Sequence, residues 1–197
     1  MLTTTKEMLL KAQDGHYAVG AFNVENLEFV MAVIAAAEER HSPVIMQTTP
    51  GTVKYASLDY FAAMARVAAQ SASVPVAIHL DHGDGFARCM QAMHAGYTSV
   101  MIDGSHEKFE DNVDLTASVT KVALPLDIPV EAELGKVGGK EDDGPAVEGD
   151  LSGDRVPHLE HTFGHLTVVH ILAALVFLHI GDLKLQALPA FADDLAV

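Results

Sequence analysis

The residues best suited to chemistry lie in one stretch, Val76-Ala77-Ile78-His79-Leu80-Asp81-His82-Gly83-Asp84-Gly85-Phe86. Three apolar residues lead in, as in a buried strand, and four of the next six are His or Asp. A strand interior seldom holds such a set, because unpaired buried polar groups cost several kcal/mol. The cluster therefore belongs at a strand end. There the neutral imidazole of His82 suits a zinc ion, and Asp81 can orient it or exchange a proton. The plainer alternative makes His82 a cap on the following helix and Asp81 a solvated turn residue.

Other residues offer related chemistry. Glu131-Ala132-Glu133 sets two carboxylates on one side of a strand, since side chains alternate. Glu133, at the strand end, would bind a cation or hold a ligand; the alternative is a surface acidic pair. Asp103 is placed like Glu133. Gly138-Gly139-Lys140-Glu141-Asp142-Asp143 is a glycine-hinged charged loop that can close over a site and deliver a carboxylate, or simply lie exposed. His158, His161 and His165 would share one face of a helix, a weaker metal-site candidate because Gly164 disfavours that helix.

The elements that must position these groups recur in a regular rhythm. A short helix is expected over Thr3–Ala12, with Thr5 as its cap. Apolar strands follow at Ala18–Phe22, Val44–Gln47, Val76–Leu80, Ser99–Ile102 and Ile128–Leu134. Between them lie helical patterns at Leu27–Arg40, Leu58–Ala72, Phe86–Ala95 and roughly Phe109–Val122. In the first, Leu27, Val30, Met31, Ile34 and Ala35 form the expected buried face. Strands that are near-continuous apolar runs are covered on both faces, as in a parallel α/β sheet. Gly20-Ala21-Phe22-Asn23 lacks the G-x-G-x-x-G of a dinucleotide fold. The pattern instead predicts an α/β fold of the (β/α)8 TIM-barrel type, whose working groups sit at the C-terminal strand ends. Those ends carry Asn23, Gln47-Thr48-Thr49, Asp81-His82, Asp103-Gly104-Ser105-His106 and Glu133.

Composition bounds the partners. The 197 residues carry 12 Lys and Arg against 27 Asp and Glu, a formal net charge of −15. Such a chain repels nucleic-acid phosphates, so no nucleic-acid partner is expected. Cys89 is the single cysteine, which fits a reducing compartment. No basic segment followed by an apolar one opens the chain, and the longest apolar run, Leu166–Ile180, is short for a membrane span. A soluble, cytoplasmic protein with no membrane partner is the expectation.

Together, Gly20-Ala21-Phe22-Asn23-Val24, Thr49-Pro50-Gly51-Thr52, His79-Leu80-Asp81-His82, Val100-Met101-Ile102-Asp103-Gly104-Ser105-His106 and Val130-Glu131-Ala132-Glu133-Leu134-Gly135 with Gly138-Gly139 resemble the class II, zinc-dependent ketose-bisphosphate aldolases of the fructose- and tagatose-bisphosphate type. The resemblance covers about the first 145 residues, in family order. It implies reversible cleavage of a phosphorylated sugar to dihydroxyacetone phosphate and an aldehyde, glyceraldehyde 3-phosphate, with Zn2+ as Lewis acid. It makes His82 a zinc ligand and Asp81 the group that handles the proton on the aldehyde oxygen. Asp103 and Glu133 match positions that bind a second metal or support the first. Glu141 matches a mobile-loop carboxylate that takes a proton from the dihydroxyacetone phosphate carbon. Asn23, Gln47 and Thr49 would line the substrate site. A monovalent cation and a homo-oligomer also accompany the resemblance. Thr49-Pro50-Gly51-Thr52 leans towards the tagatose branch.

Beyond Asp150 the rhythm stops. Residues 1–150 read as the N-terminal part of a TIM-barrel aldolase domain, incomplete at about five βα units. Residues 151–197 read as an atypical His-rich and apolar tail rather than an independent domain. The family's later histidine contexts, Gly-Thr-Ala-His-Gly and His-Gly-Gly-Ser-Gly, do not occur. His179 lies at a suitable chain distance for a further metal ligand, but in a different context. The alternative to an active aldolase is a truncated or frameshifted, inactive homologue that acts only through association.

Overall fold

The computed structural model describes residues 1–134 in full and the backbone of 169–171 and 174–176. Five strands, β1 (Gly20–Asn23), β2 (Val44–Thr48), β3 (Val76–Gly83), β4 (Ser99–Ile102) and β5 (Val130–Ala132), form one sheet in the order β1-β2-β3-β4-β5, each pair parallel. The order never reverses, as it would in a doubly wound sheet. Each strand takes the next place along, as in a βα barrel. Helices α2 (Leu27–Arg40), α3 (Pro50–Ser71), α4 (Phe86–Ala95) and α5 (Phe109–Ala123) supply the crossovers, and α1 (Thr5–Gly15) precedes β1. A 3₁₀ turn, Leu124–Leu126, leads into β5. Two further strands, β6 (Val169–Ile171) and β7 (Ala174–Val176), pair antiparallel within the apolar run near the C-terminus.

Strand alternation sorts the sheet into two faces. Val44, Met46, Val76, Ile78, Leu80, Val100, Ile102, Val130 and Ala132 pack with Phe61, Ala65, Cys89, Ala92 and Val119 of the helices in the main core. The intervening positions, among them Gln47, His79, Asp81, Ser99, Met101, Asp103, Glu131 and Glu133, belong to the opposite face. That face is closed at its lower end by α1, where Met8 packs on Ile45 and Ala77. The first residues hold α1 there: Leu2 bridges Val76, Thr3 N–H donates to the Val76 carbonyl, and Val76 N–H donates to that of Met1. Among the described residues, Gln47, Asp81, Asp103 and Glu133 of the polar groups singled out in the sequence thus share one face.

The helices start where their chemistry dictates. Asn26 caps α2, its Oδ1 accepting from Phe29 N–H at 3.0 Å. Thr49 caps α3 with Pro50 first in the helix, where a missing N–H costs nothing. Helix α3 therefore begins well before the expected Leu58. A non-helical residue, Ser57 (φ 65°, ψ 156°), interrupts it and hides the first turns from a periodicity reading. Thr5 is not the cap of α1; Thr4 holds that place, and the buried Thr5 hydroxyl turns inward to Ser99. The face of α2 is also rotated from expectation. Val30 and Ala37 are buried, Val33 and Ile34 pack on the core, and Leu27, Met31 and Ala35 face outward. In a helix this rich in apolar residues the period alone does not choose a face.

Candidate metal centre

The site is built where β3 stops being regular. Register with β4 slips between Leu80 and Gly83, and His82 adopts a left-handed backbone (φ 47°). In a plain strand Asp81 and His82 would point to opposite faces. The bulge re-aims the second of them, which is its usual effect beside an active site, and histidine tolerates the left-handed region better than most residues. Gly83 follows because a Cβ there would collide with the Met101 carbonyl of β4.

Side chains from three successive strand ends converge. His82 Nδ1 lies 2.9 Å from Asp103 Oδ2 and 3.7 Å from Glu133 Oε2. Asp103 is held in turn by Ser105 N–H, which donates to Oδ1 at 3.0 Å. Glu133 is anchored through its backbone, where Asn112 Nδ2 of α5 donates to its carbonyl at 2.8 Å. Both carboxylates are largely buried, whereas the imidazole keeps about a third of its side chain exposed. Glu133 is therefore no surface acid. Gly85, not His82, caps α4, so the plainer reading of His82 fails as well.

Electrostatics bind the cluster. The hydrogen bond that His82 donates to Asp103 raises the His82 pKa to about 9, against the opposing effect of burial, and the charges of Asp81, Asp103 and Glu133 add to the rise. For Asp103, burial alone would raise the pKa. The hydrogen bonds from His82 and Ser105 outweigh it and hold the carboxyl at about 2. Without a metal, the pair rests as imidazolium and carboxylate.

A cation would replace the proton. The ligand atoms of His82, Asp103 and Glu133 lie within 4.8 Å of one another, and among the described residues these three form the one such cluster of His, Cys, Asp or Glu. One imidazole and two carboxylates suit a divalent metal of borderline hardness. The donor set fits the expected cofactor.

Beside the cluster, Asp81 accepts from Gln47 Nε2 at 2.6 Å, so Gln47 orients an acid–base candidate as well as facing the mouth. Asn23 pairs in register with Gln47 and is exposed at the end of β1. Thr49 is buried as the α3 cap, with its Oγ1 3.4 Å from the Thr52 hydroxyl. That hydroxyl donates to both oxygens of Glu25, at 2.8 and 2.9 Å. Glu141, His179 and the group His158, His161 and His165 lie outside the described residues. Sequence reasoning placed His79 in the polar cluster but gave it no role of its own, and it gave none to Ser99. The signal for His79 was its spacing of two from Asp81, which sets both on the same face.

A sequentially ordered parallel sheet with an imidazole–carboxylate cluster at its C-terminal strand ends defines a protein of the TIM-barrel type with a candidate metal site. Comparison with known proteins agrees. The family model described as "Fructose-bisphosphate aldolase class-II" matches residues 3–174. A fructose-bisphosphate aldolase of Geobacillus stearothermophilus is 48% identical over 147 residues, covering 72% of this chain and 50% of that one. One of Staphylococcus epidermidis is 45% identical over 146 residues, covering 72% and 51%. The crystal structure of the YdjI aldolase from Escherichia coli K12 superposes with a TM-score of 0.66 at 40% identity, covering 71% of this chain and 54% of that one. The chain belongs to the class-II fructose-bisphosphate aldolase family. It spans about half the length of the curated relatives it matches.

Proposed function

We propose that this chain carries the metal-binding part of a zinc-dependent aldolase site. The reaction is reversible cleavage of fructose 1,6- or tagatose 1,6-bisphosphate to dihydroxyacetone phosphate and glyceraldehyde 3-phosphate. The observation that carries the reading is the convergence of His82, Asp103 and Glu133 on one face, with Asp81 beside them. When bound, zinc supplies a Lewis acid that polarises the substrate carbonyl. His82, Asp103 and Glu133 would hold it, with a second metal or a monovalent cation as a further candidate.

The protein's own groups do the remaining work. Asp81, one oxygen fixed by the Gln47 amide, takes the proton from the hydroxyl that becomes the aldehyde and returns it in condensation. Asn23 and Gln47 line the mouth, and Thr49 shapes it by starting α3. Glu141 is assigned by family likeness to the proton on the dihydroxyacetone phosphate carbon. The setting is cytoplasmic, and the assembly a homo-oligomer.

The test is metal analysis of the purified chain with cleavage assays on both sugar bisphosphates, with added zinc and after chelation. Zinc-dependent cleavage of one of them supports the reading. No cleavage, unchanged by zinc or chelator, removes it.

A second reading, of a homologue acting only through association, is favoured by one observation: Phe22, Leu27, Phe29 and Met31 are each about half exposed or more, on β1 and the helix after it. A monodisperse monomer with stoichiometric zinc would dismiss it.

A further inference from the structure

His79 lies outside the metal cluster, yet it is among the most buried polar side chains of the molecule. Its Nδ1 lies 2.8 Å from Ser99 Oγ, and its Nε2 lies 3.3 Å from Glu131 Oε2. Ser99 Oγ also accepts from Thr5 of α1 at 2.9 Å. The chain Thr5–Ser99–His79–Glu131 therefore crosses from α1 through β4 and β3 to β5.

The contact between His79 and Glu131 carries structural information because β3 and β5 are not neighbours. Strand β4 lies between them, with His79 level with Ser99 and Met101 level with Glu131. Two strand spacings come to roughly 9.5 Å. Long side chains on strands that far apart meet more readily where the sheet curls towards the face they share. The 3.3 Å contact thus ties β3 to β5 across β4, as a sheet curling towards that face allows.

The metal cluster lies at the ends of the same three strands. His82 of β3, Asp103 just past β4 and Glu133 just past β5 lie above His79, Ser99 and Glu131. Both sets draw a histidine from β3, a polar residue from β4 or just past it and a glutamate from β5 or just past it, although Glu131 is level with Met101 rather than with Ser99. The spacing of two between Glu131 and Glu133 places both on one face. The lower level is buried and closed by α1, while the upper level opens to the mouth.

We propose that His79 and Glu131 are a positioning pair that holds β3 and β5 at the separation where His82, Asp103 and Glu133 gather a divalent cation. The inference rests on the metal centre proposed above and extends it to residues that do not touch the ion. Partners bonded directly to metal ligands typically change affinity by about 10–100-fold when removed, and a pair acting through the strands belongs at the lower end of that range.

The experiment measures Zn2+ affinity by calorimetry and the visible absorption of Co2+, with either ion alone as probe. The visible bands of Co2+ follow ligand geometry, which a loss of global stability does not alter. The wild-type chain is compared with Glu131→Leu, Glu131→Gln, Ser99→Ala and His82→Ala. Thr48→Val serves as a control, removing a buried hydrogen bond to Tyr97 on the helix-covered face.

The expected result is an affinity loss of about 10-fold or more for Glu131→Leu with altered Co2+ bands. Glu131→Gln, which keeps an acceptor for His79, should recover most of it, and Thr48→Val should leave both readouts unchanged. Should Glu131→Leu fail to fold, Ser99→Ala must show the altered bands. Unchanged affinity and bands in the folded Glu131 and Ser99 variants overturn the positioning pair, as does an equal loss in Thr48→Val. If the wild-type chain binds no metal, or binds it equally without His82, the metal centre fails and the pair with it.

Discussion

Asp103 has two partners and two tasks. One oxygen accepts from Ser105 N–H and the other meets His82, so the carboxylate both offers a ligand atom and orients the imidazole. Asp103→Asn keeps the shape and removes the charge. It also removes the main cause of the raised His82 pKa, so the imidazole should titrate nearer its ordinary value. Loss of an anionic donor should dominate, lowering divalent-metal affinity by roughly 10–100-fold, as competition with a chromogenic chelator would measure. How much of this was legible in the sequence depends on distance along the chain. Asp81-His82 stood out because two such residues are adjacent at a strand end. The Gln47–Asp81 and His79–Glu131 partnerships could not be read, because each needs the register of strands far apart in sequence.

At the scale of elements, α2, α4 and β4 were readable to the residue, because their apolar runs and flanking glycines or polar residues agree, whereas the other four strands were found with different ends. The start of α3 was missed although Thr49-Pro50 is a helix-start signal; Ser57 broke the period that would have supported it. Ser57 occupies backbone space that glycine adopts freely and other residues rarely adopt. Ser57→Gly should therefore stabilise the fold by about 1 kcal/mol, and Ser57→Val should destabilise it, read as shifts in thermal midpoint. A second element-scale contact ties α2 to the turn before β3. Glu38 accepts from the Ser73 hydroxyl at 2.7 Å and from the Ser73 and Val74 N–H groups. The Ser73 side-chain bond is the leading cause that lowers the Glu38 pKa below its ordinary 4.5. A lowered folded-state pKa gives stability that is present above 4.5 and lost as pH falls through the folded value. Glu38→Gln should thus be less stable than wild type at neutral pH. The gap should close in denaturant titrations carried down through the carboxylate range.

At the scale of the whole molecule, two forces act against each other on self-association. Among the described residues β1 is the edge of the five-stranded sheet, and all four of its residues are exposed. Phe22 is 51% exposed, Leu27 50%, Phe29 49% and Met31 63%, so among the described residues this side offers both an edge strand and apolar surface. Either feature favours pairing with another copy. The net charge of −15 opposes it by mutual repulsion. Salt screens repulsion over a Debye length of about 8–10 Å at ordinary ionic strength but leaves apolar contact intact. Sedimentation velocity should therefore show association that strengthens with both protein concentration and salt. Phe22→Lys and Met31→Lys should shift the chain towards monomer while changing its stability by no more than about 0.5 kcal/mol, since both side chains are already exposed. Association that weakens as salt rises would instead point to ion pairs between copies and exclude this apolar side as its cause. A monomer at every salt and concentration would show that repulsion prevails, and with it the association reading of the chain would fall.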